Sequence, residues 1–322
     1  DINRPGQVQA YFLRSDVAHA EIKSIDTKAA QSAPGVVGVF TGSDIAADKV
    51  GGPICGWVVP CRDGSSTKEP PHPLLAQGKV RFVGDAVAVV VAETMEQAKS
   101  AAELIDVDYN ELTPVVDFVN ADKGAQIHEE VPNNCYFDWE LGDESATNKA
   151  IESAAKVVKL SVRNNRLVPN AMEPRSALAE YDSLDESYTL HTTSQNPHLT
   201  RLVLAAFMFA IPESKLRVIA PDVGGGFGSK IYVYIEEAVC VWASKKIGRP
   251  VKWTADRTQA FLTDCHGRDH VNDVQLALDE NNKIIGLRVD TVCNLGAYLS
   301  AFSVVVPTIL HGTLLSGQYD IP

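Results

Sequence analysis

Long apolar stretches, dense basic runs and clustered cysteines are all missing from this sequence. No apolar run reaches the roughly 20 residues that cross a bilayer, and the most apolar segments, 86–92 and 202–211, have the length of buried strands or short helices. No run of Lys and Arg is dense enough to neutralise a phosphate backbone, and the net charge is −12. No charged-then-apolar leader is visible. We therefore expect no membrane span, no nucleic-acid partner and no secretory signal.

The six cysteines are scattered, without a CxxC pair. They stand at Cys55, Cys61, Cys135, Cys240, Cys265 and Cys293. Four closely spaced thiolates, which an iron–sulfur cluster needs, are absent from this sequence, and the cysteine density is too low for a secreted disulfide scaffold. The pattern predicts reduced thiols and a cytoplasmic location. A disulfide between Cys55 and Cys61, which share a Gly/Pro-rich loop, is the less favoured alternative.

The hydrophobic content is ordinary, and strands alternate with helices. Of 322 residues, 45% are hydrophobic and 22% are charged, which is typical of a globular chain with two domains. In the first part, Thr94 and Gln97 have the spacing of a capping box and predict a helix that ends near Leu104. Apolar runs in this part predict strands at 36–40, 86–92 and 105–109.

A polar segment, 117–153, is predicted to connect this part to a second one. Asn196 as N-cap, with Pro197 at the first helical position, predicts a helix over 198–210. A helix over 231–246 is expected to stop at Gly248. Strands are expected in the second part at 157–162, 177–181, 188–194, 216–220, 251–254 and 283–291. The fold class is therefore mixed α+β.

A glycine-rich turn lies between the strand at 216–220 and the helix at 231–246. Four of the five residues Gly224–Gly228 are glycine, and the fifth is Phe227. Glycine allows close backbone approach, and N–H groups at a helix start favour an anion or an oxo group. A P-loop would need Gly-Lys-Ser/Thr, whereas Ser229 precedes Lys230 here, and Ser229 also replaces the third glycine of a dinucleotide fingerprint. The turn predicts an anion contact rather than an ATP or NAD site, with a purely structural turn as the alternative.

Gln195 ends a predicted strand immediately before the Asn196 N-cap. Sites in α/β folds lie at such strand ends, and an amide side chain offers both a donor and an acceptor. Taken alone, Gln195 is better explained as a loop residue that satisfies nearby backbone.

Two other charged motifs favour structural roles. Glu173 and Arg175 flank a proline, which predicts a structural ion pair between them. His266 and His270 are four residues apart, but the Glu of a zinc-protease helix is missing, so metal ligation is disfavoured.

Taken together, the ordered motifs resemble a known family. The chain is similar to the large subunits of the xanthine dehydrogenase/aldehyde oxidase superfamily, and most resembles its aerobic carbon-monoxide-dehydrogenase-like branch. The motifs that carry the resemblance lie at 14–20, 34–36, 80–85, 107–109, 170–175, 194–198, 222–230, 266–270, 294–298 and 317–322.

The resemblance implies a domain organisation in chain order. Residues 1–116 would form an a/b hammerhead domain and 117–153 a connecting segment. Residues 154–322 would form the N-terminal portion of a molybdenum-cofactor-binding domain.

The resemblance also implies a molybdenum ion held by the dithiolene of a pterin, in the cytosine dinucleotide form, with no direct protein ligand. Cofactor contacts would come from Gln195, Gly225, Gly226, Phe227 and Gly228. Of these, Gln195 would hydrogen-bond an oxygen ligand of molybdenum, and Phe227 and Gly228 would reach an oxo ligand through their N–H groups.

The reaction implied is oxidative hydroxylation of a small molecule, with water as the oxygen source. Electrons would leave through [2Fe-2S] clusters on a small subunit and FAD on a medium subunit, in a dimer of heterotrimers. The substrate would be CO, an aldehyde or an N-heterocycle, since Ile231 stands where purine-oxidising members carry an acid. The general base is expected beyond Pro322, so this chain would hold no catalytic residue and would be inactive alone. A cofactor-carrier or assembly module without catalysis, and a nucleotide-dependent dehydrogenase, are the alternatives.

Overall fold

The computed structural model describes residues 2–322, which form two compact units built from discontinuous segments. The first unit contains the chain up to Ile54, Pro71–Pro114 and Val168–Cys265. The second contains Cys55–Pro70, Val115–Leu167 and His266–Pro322. The mixed α+β class expected from the sequence is confirmed.

The helices and strands are numbered here in chain order. The strands are β1 (Val8–Arg14), β2 (Ala20–Asp26), β3 (Val36–Thr41), β4 (Lys79–Val80), β5 (Ala86–Ala92), β6 (Asp106–Glu111), β7 (Lys156–Asn164), β8 (Ser176–Asp182), β9 (Ser187–Thr192), β10 (Leu216–Ile219), β11 (Val251–Thr254), β12 (His270–Leu278) and β13 (Ile284–Cys293). The α-helices are α1 (Lys28–Gln31), α2 (Gly42–Ala47), α3 (Met95–Ala102), α4 (Glu144–Ser153), α5 (Pro197–Leu202), α6 (Ile235–Ile247) and α7 (Arg257–Thr263).

A seven-stranded sheet in the order β10-β9-β8-β11-β1-β5-β3 forms the centre of the first unit. Strand β5 is buried along its whole length because both faces of the sheet are covered. Val89 and Val91 pack in the cluster that contains α6, and Ala88 and Val90 pack in the cluster that contains α3. Strand β1 joins the early strands to the late ones, since it pairs with β5 on one side and with β11 on the other.

Helix α6 is the most buried helix of the first unit. Every residue from Glu236 to Ser244 is buried, two glutamates included. Its apolar residues join the same core cluster as Phe12 and Trp253, whose rings meet edge to face at 6.0 Å between centroids. A small sheet in the order β4-β2-β6 completes this unit.

The second unit contains an antiparallel sheet in the order β13-β12-β7. Helix α4 packs on this sheet, where Gly286 leaves room for Ala150. A separate apolar cluster forms around Cys55, Val59 and Val304.

Most of the predicted elements are confirmed. The nine strands predicted from apolar runs are present, each with its ends moved by a few residues at most. Thr94 caps α3 by accepting from the N–H of Gln97, Asn196 caps α5 by accepting from the N–H of Leu199, and Gly248 ends α6 with φ of +71°.

Two helix predictions are corrected. The helix expected over 198–210 is α-helical only as far as Leu202 and continues as a π-helix over Val203–Met208. The helix expected from Ile231 begins only at Ile235. The segment 117–153 contains α4 and the short 3-10 helices Phe118–Lys123 and Pro132–Asn134, and its role as a connection remains a prediction.

All six cysteines are free thiols, so Cys55 and Cys61 are not joined. Within residues 2–322, no helix combines the length and the apolar character that a membrane crossing needs. The domain boundaries 1–116, 117–153 and 154–322 remain a prediction.

Candidate functional site

The glycine-rich turn has a left-handed backbone at three positions. Gly225 and Gly228 both have φ of +92°, and Phe227 between them has φ of +50°. Glycine adopts this region freely, whereas a residue with a side chain is held there only by its surroundings, at about 1–3 kcal/mol. Phe227 is 76% exposed, so burial of the residue does not offset that strain. Strain of this kind concentrates at functional sites, and the turn is therefore the first candidate.

The sequence had predicted that the turn leads directly into a long helix, and the structure differs. A short 3-10 helix, Ser229–Ile231, follows it, and α6 begins four residues later. At the α6 start the N–H of Tyr234 donates to a carboxylate of the helix itself, Glu237 Oε2, at 3.0 Å. Because the turn is separated from α6 by the 3-10 helix, the donors to an anion at the turn must come from the turn itself.

Gln195 joins the turn through both its backbone and its side chain. Its N–H donates to the carbonyl of Lys230 at 2.8 Å. Its Oε1 accepts from the N–H groups of Gly228 at 3.0 Å and Lys230 at 3.3 Å. These two donors fix the orientation of the amide, because its oxygen must face the turn. The Nε2 group thus remains as a donor, and no residue within 2–322 accepts from it.

Gly226 is the residue that lets Gln195 approach. A Cβ at this position would lie 2.2 Å from Gln195 Oε1, closer than any real contact allows. The N–H groups of Gly226 and Phe227 have no acceptor in the described part of the chain. The turn therefore offers two backbone donors in addition to Gln195 Nε2. A donor set of this kind suits the oxygen atoms of an anion or of an oxo-metal group.

Glu173 and Lys230 hold the turn from behind, and the sequence had not indicated this pair. Glu173 Oε2 accepts from the N–H of Gly224 at 2.7 Å. The Lys230 ammonium donates to the Glu173 carbonyl at 2.7 Å and to its Oε2 at 3.1 Å. The predicted ion pair between Glu173 and Arg175 is wrong, because Glu173 pairs with Lys230 while Arg175 pairs with buried acids elsewhere.

Arg175 lies in a buried charge network. Its guanidinium donates to Glu236 at 2.9 Å and Asp264 at 2.6 Å, and it lies 3.6 Å from the centre of the Tyr234 ring. Arg14 donates to the other oxygen of Glu236 at 2.6 Å. Burial alone would raise the pKa of Glu236, but the two guanidinium groups outweigh it and lower that pKa to about 2. Glu236 is thus charged throughout the physiological range.

Glu237, which follows Glu236 in α6, links this helix to β9, the strand that precedes Gln195. Thr192, the last residue of β9, donates through Oγ1 to Glu237 Oε1 at 2.5 Å. Burial raises the pKa of Glu237 above its ordinary value. Helix α6 therefore fixes the end of β9, three residues before Gln195.

The histidine motif does not form a metal site in the described residues. No group of three or more His, Cys, Asp or Glu side chains within 2–322 is arranged to hold a metal ion. His270 belongs to β12 in the second unit, where its ring meets that of His311. The site of the first unit thus consists of Gln195, the turn and the residues behind them.

Comparison with known proteins gives two family matches that together cover most of the chain. Residues 127–322 match the molybdopterin cofactor-binding domain. Residues 1–113 match the a/b hammerhead domain of aldehyde oxidase and xanthine dehydrogenase. Both domains had been expected in this order from the resemblance of the sequence.

Individual relatives match over the whole chain. The carbon monoxide dehydrogenase large chain of Hydrogenophaga pseudoflava is 34% identical, and the nicotine 6-hydroxylase large subunit of Paenarthrobacter nicotinovorans is 33% identical; both matches cover 100% of this chain. The crystal structure of quinoline 2-oxidoreductase from Pseudomonas putida 86 matches with a TM-score of 0.88 and 33% identity, covering 100% of this chain and 40% of that one. The chain spans about 40% of the length of these two curated relatives. It belongs to the xanthine dehydrogenase and aldehyde oxidase family and corresponds to part of a molybdopterin-binding large subunit.

Proposed function

We propose that this chain supplies part of the cofactor pocket of a molybdenum hydroxylase, through Gln195 and the turn that contains Phe227. The orientation of the Gln195 amide is the observation that carries the proposal. Its oxygen is bound by two backbone N–H groups, so the nitrogen that remains can only donate. A donor is what an oxygen ligand of the metal would require.

The residues proposed to contact the cofactor are Gln195, Gly225, Gly226, Phe227 and Gly228. When bound, molybdopterin would supply two-electron oxidation at molybdenum, with water as the source of the oxygen added to the substrate. Gln195 Nε2 and the N–H groups of Gly226 and Phe227 would donate hydrogen bonds to oxygen atoms at the metal. Gly225 and Gly228 would keep the backbone in the left-handed conformation that this requires.

The residues of this site orient and polarise, and they do not move a proton. Amide N–H groups and a Gln side chain do not titrate near neutral pH. The Glu173 carboxylate, which contacts the turn, already accepts from Gly224 and Lys230. We therefore assign no catalytic acid or base to this chain, and a general base would have to come from elsewhere in the enzyme.

For the substrate we propose a small molecule that carries no purine ring: CO, an aldehyde or an N-heterocycle. Ile231, a half-buried aliphatic residue, cannot accept hydrogen bonds from a purine as an acidic residue would. The names of the three relatives described above refer to carbon monoxide, nicotine and quinoline, which lie within this range.

The electron acceptors are proposed to lie on other subunits, as FAD on a medium subunit and [2Fe-2S] clusters on a small subunit, in a dimer of heterotrimers in the cytoplasm. Within residues 2–322 no cysteine cluster could hold iron and sulfur. The relatives are named as large chains or subunits of such enzymes, which supports a multisubunit assembly. The pterin is proposed to be the cytosine dinucleotide form.

Metal and pterin analysis tests the proposal directly. The full natural protein that contains these residues is purified with its co-expressed partners, and its metals and the pterin released on denaturation are measured. We expect molybdenum and pterin in equal amounts. Zinc or no metal, with no pterin, would exclude the proposed function, whereas cofactor without turnover of any substrate class would indicate a carrier module.

A pair of Gln195 variants separates the two roles of this side chain. Gln195→Glu keeps an oxygen for the N–H groups of Gly228 and Lys230 but replaces the outward donor by a carboxylate oxygen. Gln195→Ala removes both interactions. We expect each variant to lower turnover at least about a hundred-fold, since a donor aimed at developing charge is worth roughly that much, while the Glu variant keeps a wild-type melting temperature. Wild-type turnover of the Glu variant would show that Gln195 is only structural.

A further inference from the structure

Lys230 is a fully buried lysine directly after the turn. Its side chain is 1% exposed, although a lysine is almost never buried unless its charge is paired. All of the hydrogen bonds that its ammonium makes go to one residue, Glu173, through the carbonyl at 2.7 Å and the carboxylate at 3.1 Å. Such a position is costly to maintain, so the contact needs an explanation.

Glu173 contacts both ends of the turn at once. At the beginning of the turn its Oε2 accepts from the N–H of Gly224 at 2.7 Å, and its own N–H donates to the Gly224 carbonyl at 3.1 Å. At the end of the turn the same Oε2 accepts from Lys230. The approach to Gly224 is so close that a Cβ there would lie 2.5 Å from the Glu173 Cβ. One carboxylate oxygen therefore fixes the span between Gly224 and Lys230.

The backbone between these ends is the part that needs support. Phe227 is left-handed and exposed, and its N–H has no acceptor in the described chain. A turn with such a residue relaxes unless its ends are held. Lys230 also carries the backbone groups that pair with Gln195, in both directions. The position of the Gln195 amide thus depends on where Lys230 lies.

Glu173 is itself anchored by the buried network. Pro174 follows it with a fixed φ, and Arg175 comes next, held by Glu236 and Asp264. A displacement of Glu173 would therefore require Arg175 to move within a site of three charged groups.

We propose that the buried ammonium of Lys230 and the half-exposed carboxylate of Glu173 form a clamp that positions the cofactor turn, so that Lys230 is a positioning residue for the donors of Gln195 and Phe227. This inference rests on the proposed function for the identity of the bound group. The clamp itself is a property of the protein without cofactor, and it can be tested as such.

Hydrogen exchange measured by mass spectrometry tests the clamp in the full natural protein prepared without molybdenum cofactor. Lys230→Met keeps the length of the side chain and removes the ammonium, and Glu173→Gln keeps an oxygen for Gly224 and removes the charge. We expect amide exchange over 222–231 to become at least about ten-fold faster in both variants, while exchange over 239–247 in α6 changes less than about two-fold. Lys246→Met is the control, since Lys246 is 44% exposed and pairs with Asp48 at 2.9 Å.

Two results would overturn the clamp. Unchanged exchange over 222–231 would show that the turn holds itself. An equal rise over 222–231 and 239–247 would show that the pair merely stabilises the whole unit.

A measurement on the unmodified protein decides the case if neither variant folds. Brief acylation of lysines, followed by mass spectrometry, should label Lys230 at least about ten-fold more slowly than Lys246. Equal labelling rates would contradict the clamp. Since none of these readouts involves molybdenum, a protein that lacks the cofactor would refute the proposed function and leave the clamp to be judged by exchange and labelling.

Discussion

Replacing Glu236 with Gln removes the negative charge from a buried site that contains two guanidinium groups. In the wild-type protein Arg14 and Arg175 each bind one oxygen of Glu236, at 2.6 and 2.9 Å. The carboxyl has a pKa of about 2 instead of its ordinary 4.5. That difference corresponds to about 3 kcal/mol of stability, close to the roughly 3–5 kcal/mol lost when one partner of a buried ion pair is removed.

The sign of the effect fixes its pH dependence. Because the folded pKa lies below the unfolded one, the contribution of Glu236 is fully present above pH 4.5 and is lost as the pH falls towards 2. At pH 3.5 roughly two fifths of it is gone. The neutral amide of the Glu236→Gln variant has no charge to lose, so the difference between the two proteins must shrink in acid.

Thermal unfolding of both proteins at pH 6.5 and pH 3.5 measures this difference. The melting temperature of a domain of this size shifts by about 2–4 °C for each kcal/mol of stability. We therefore expect Glu236→Gln to melt roughly 6–12 °C below the wild-type protein at pH 6.5, and about half as far below it at pH 3.5. Glu213→Gln is the matched control, because Glu213 pairs with Arg201 at 2.9 Å but both side chains are 41% exposed. Its melting temperature should fall by no more than the loss of an exposed pair allows, and such a pair contributes at most about 1 kcal/mol. Equal shifts of the Glu236 variant at both pH values would refute the electrostatic reasoning.

Two further substitutions test the packing of the site and the charge of the first unit. Gly226→Ala would place a Cβ 2.2 Å from Gln195 Oε1, and we expect this overpacking to weaken cofactor retention, measured as molybdenum content, by about 1–3 kcal/mol. Gly267→Ala is the control and should not change the molybdenum content, because no atom lies within 4 Å of the added Cβ. Equal losses of molybdenum in the two variants would contradict the packing argument. Burial raises the pKa of Asp85 to about 7 from 3.8, so the stability of the wild-type protein falls as the pH rises between these values. Asp85→Asn should remove that decline and stabilise the protein by up to about 4 kcal/mol above pH 7. A stability difference between the two proteins that stays constant from pH 4.5 to 7.5 would disprove this role of Asp85.

The elements that the sequence predicted best are those whose signals are local. Strand β5 is an uninterrupted apolar run, and the caps of α3 and α5 use Thr94 and Asn196, which have well-known preferences. Each of these signals is contained within a few neighbouring residues. Helix α6 started later than predicted, because Tyr234 is an unusual N-cap and Glu237 satisfies it from inside the helix.

The sequence indicated which residues to consider for the candidate site but not how they are held together. Gln195 and the glycine-rich turn were noted because each follows a strand, the family resemblance implied that they share a site, and the structure brings them into contact. Their role as cofactor contacts remains a proposal. The support of Lys230 by Glu173 joins residues 57 positions apart, and no local pattern indicates such a contact. The closeness of Glu173 and Arg175 along the chain led to the wrong prediction that they pair with each other. Spacing along the chain does not reveal in which direction each side chain points.

The position of β1 between β5 and β11 has a consequence for synthesis on the ribosome. Residues 8–14 and 86–92 leave the ribosome early, but the other edge of β1 has no partner until residues 251–254 are made. At roughly 5–20 residues per second, the intervening stretch takes on the order of 10–30 s to translate. During that time an apolar strand edge is available to other chains, and such edges promote aggregation. Slower translation should therefore lower the yield of this protein, and a chaperone that holds the nascent chain should raise it. Both effects should be larger than for a protein whose sheet is completed in chain order.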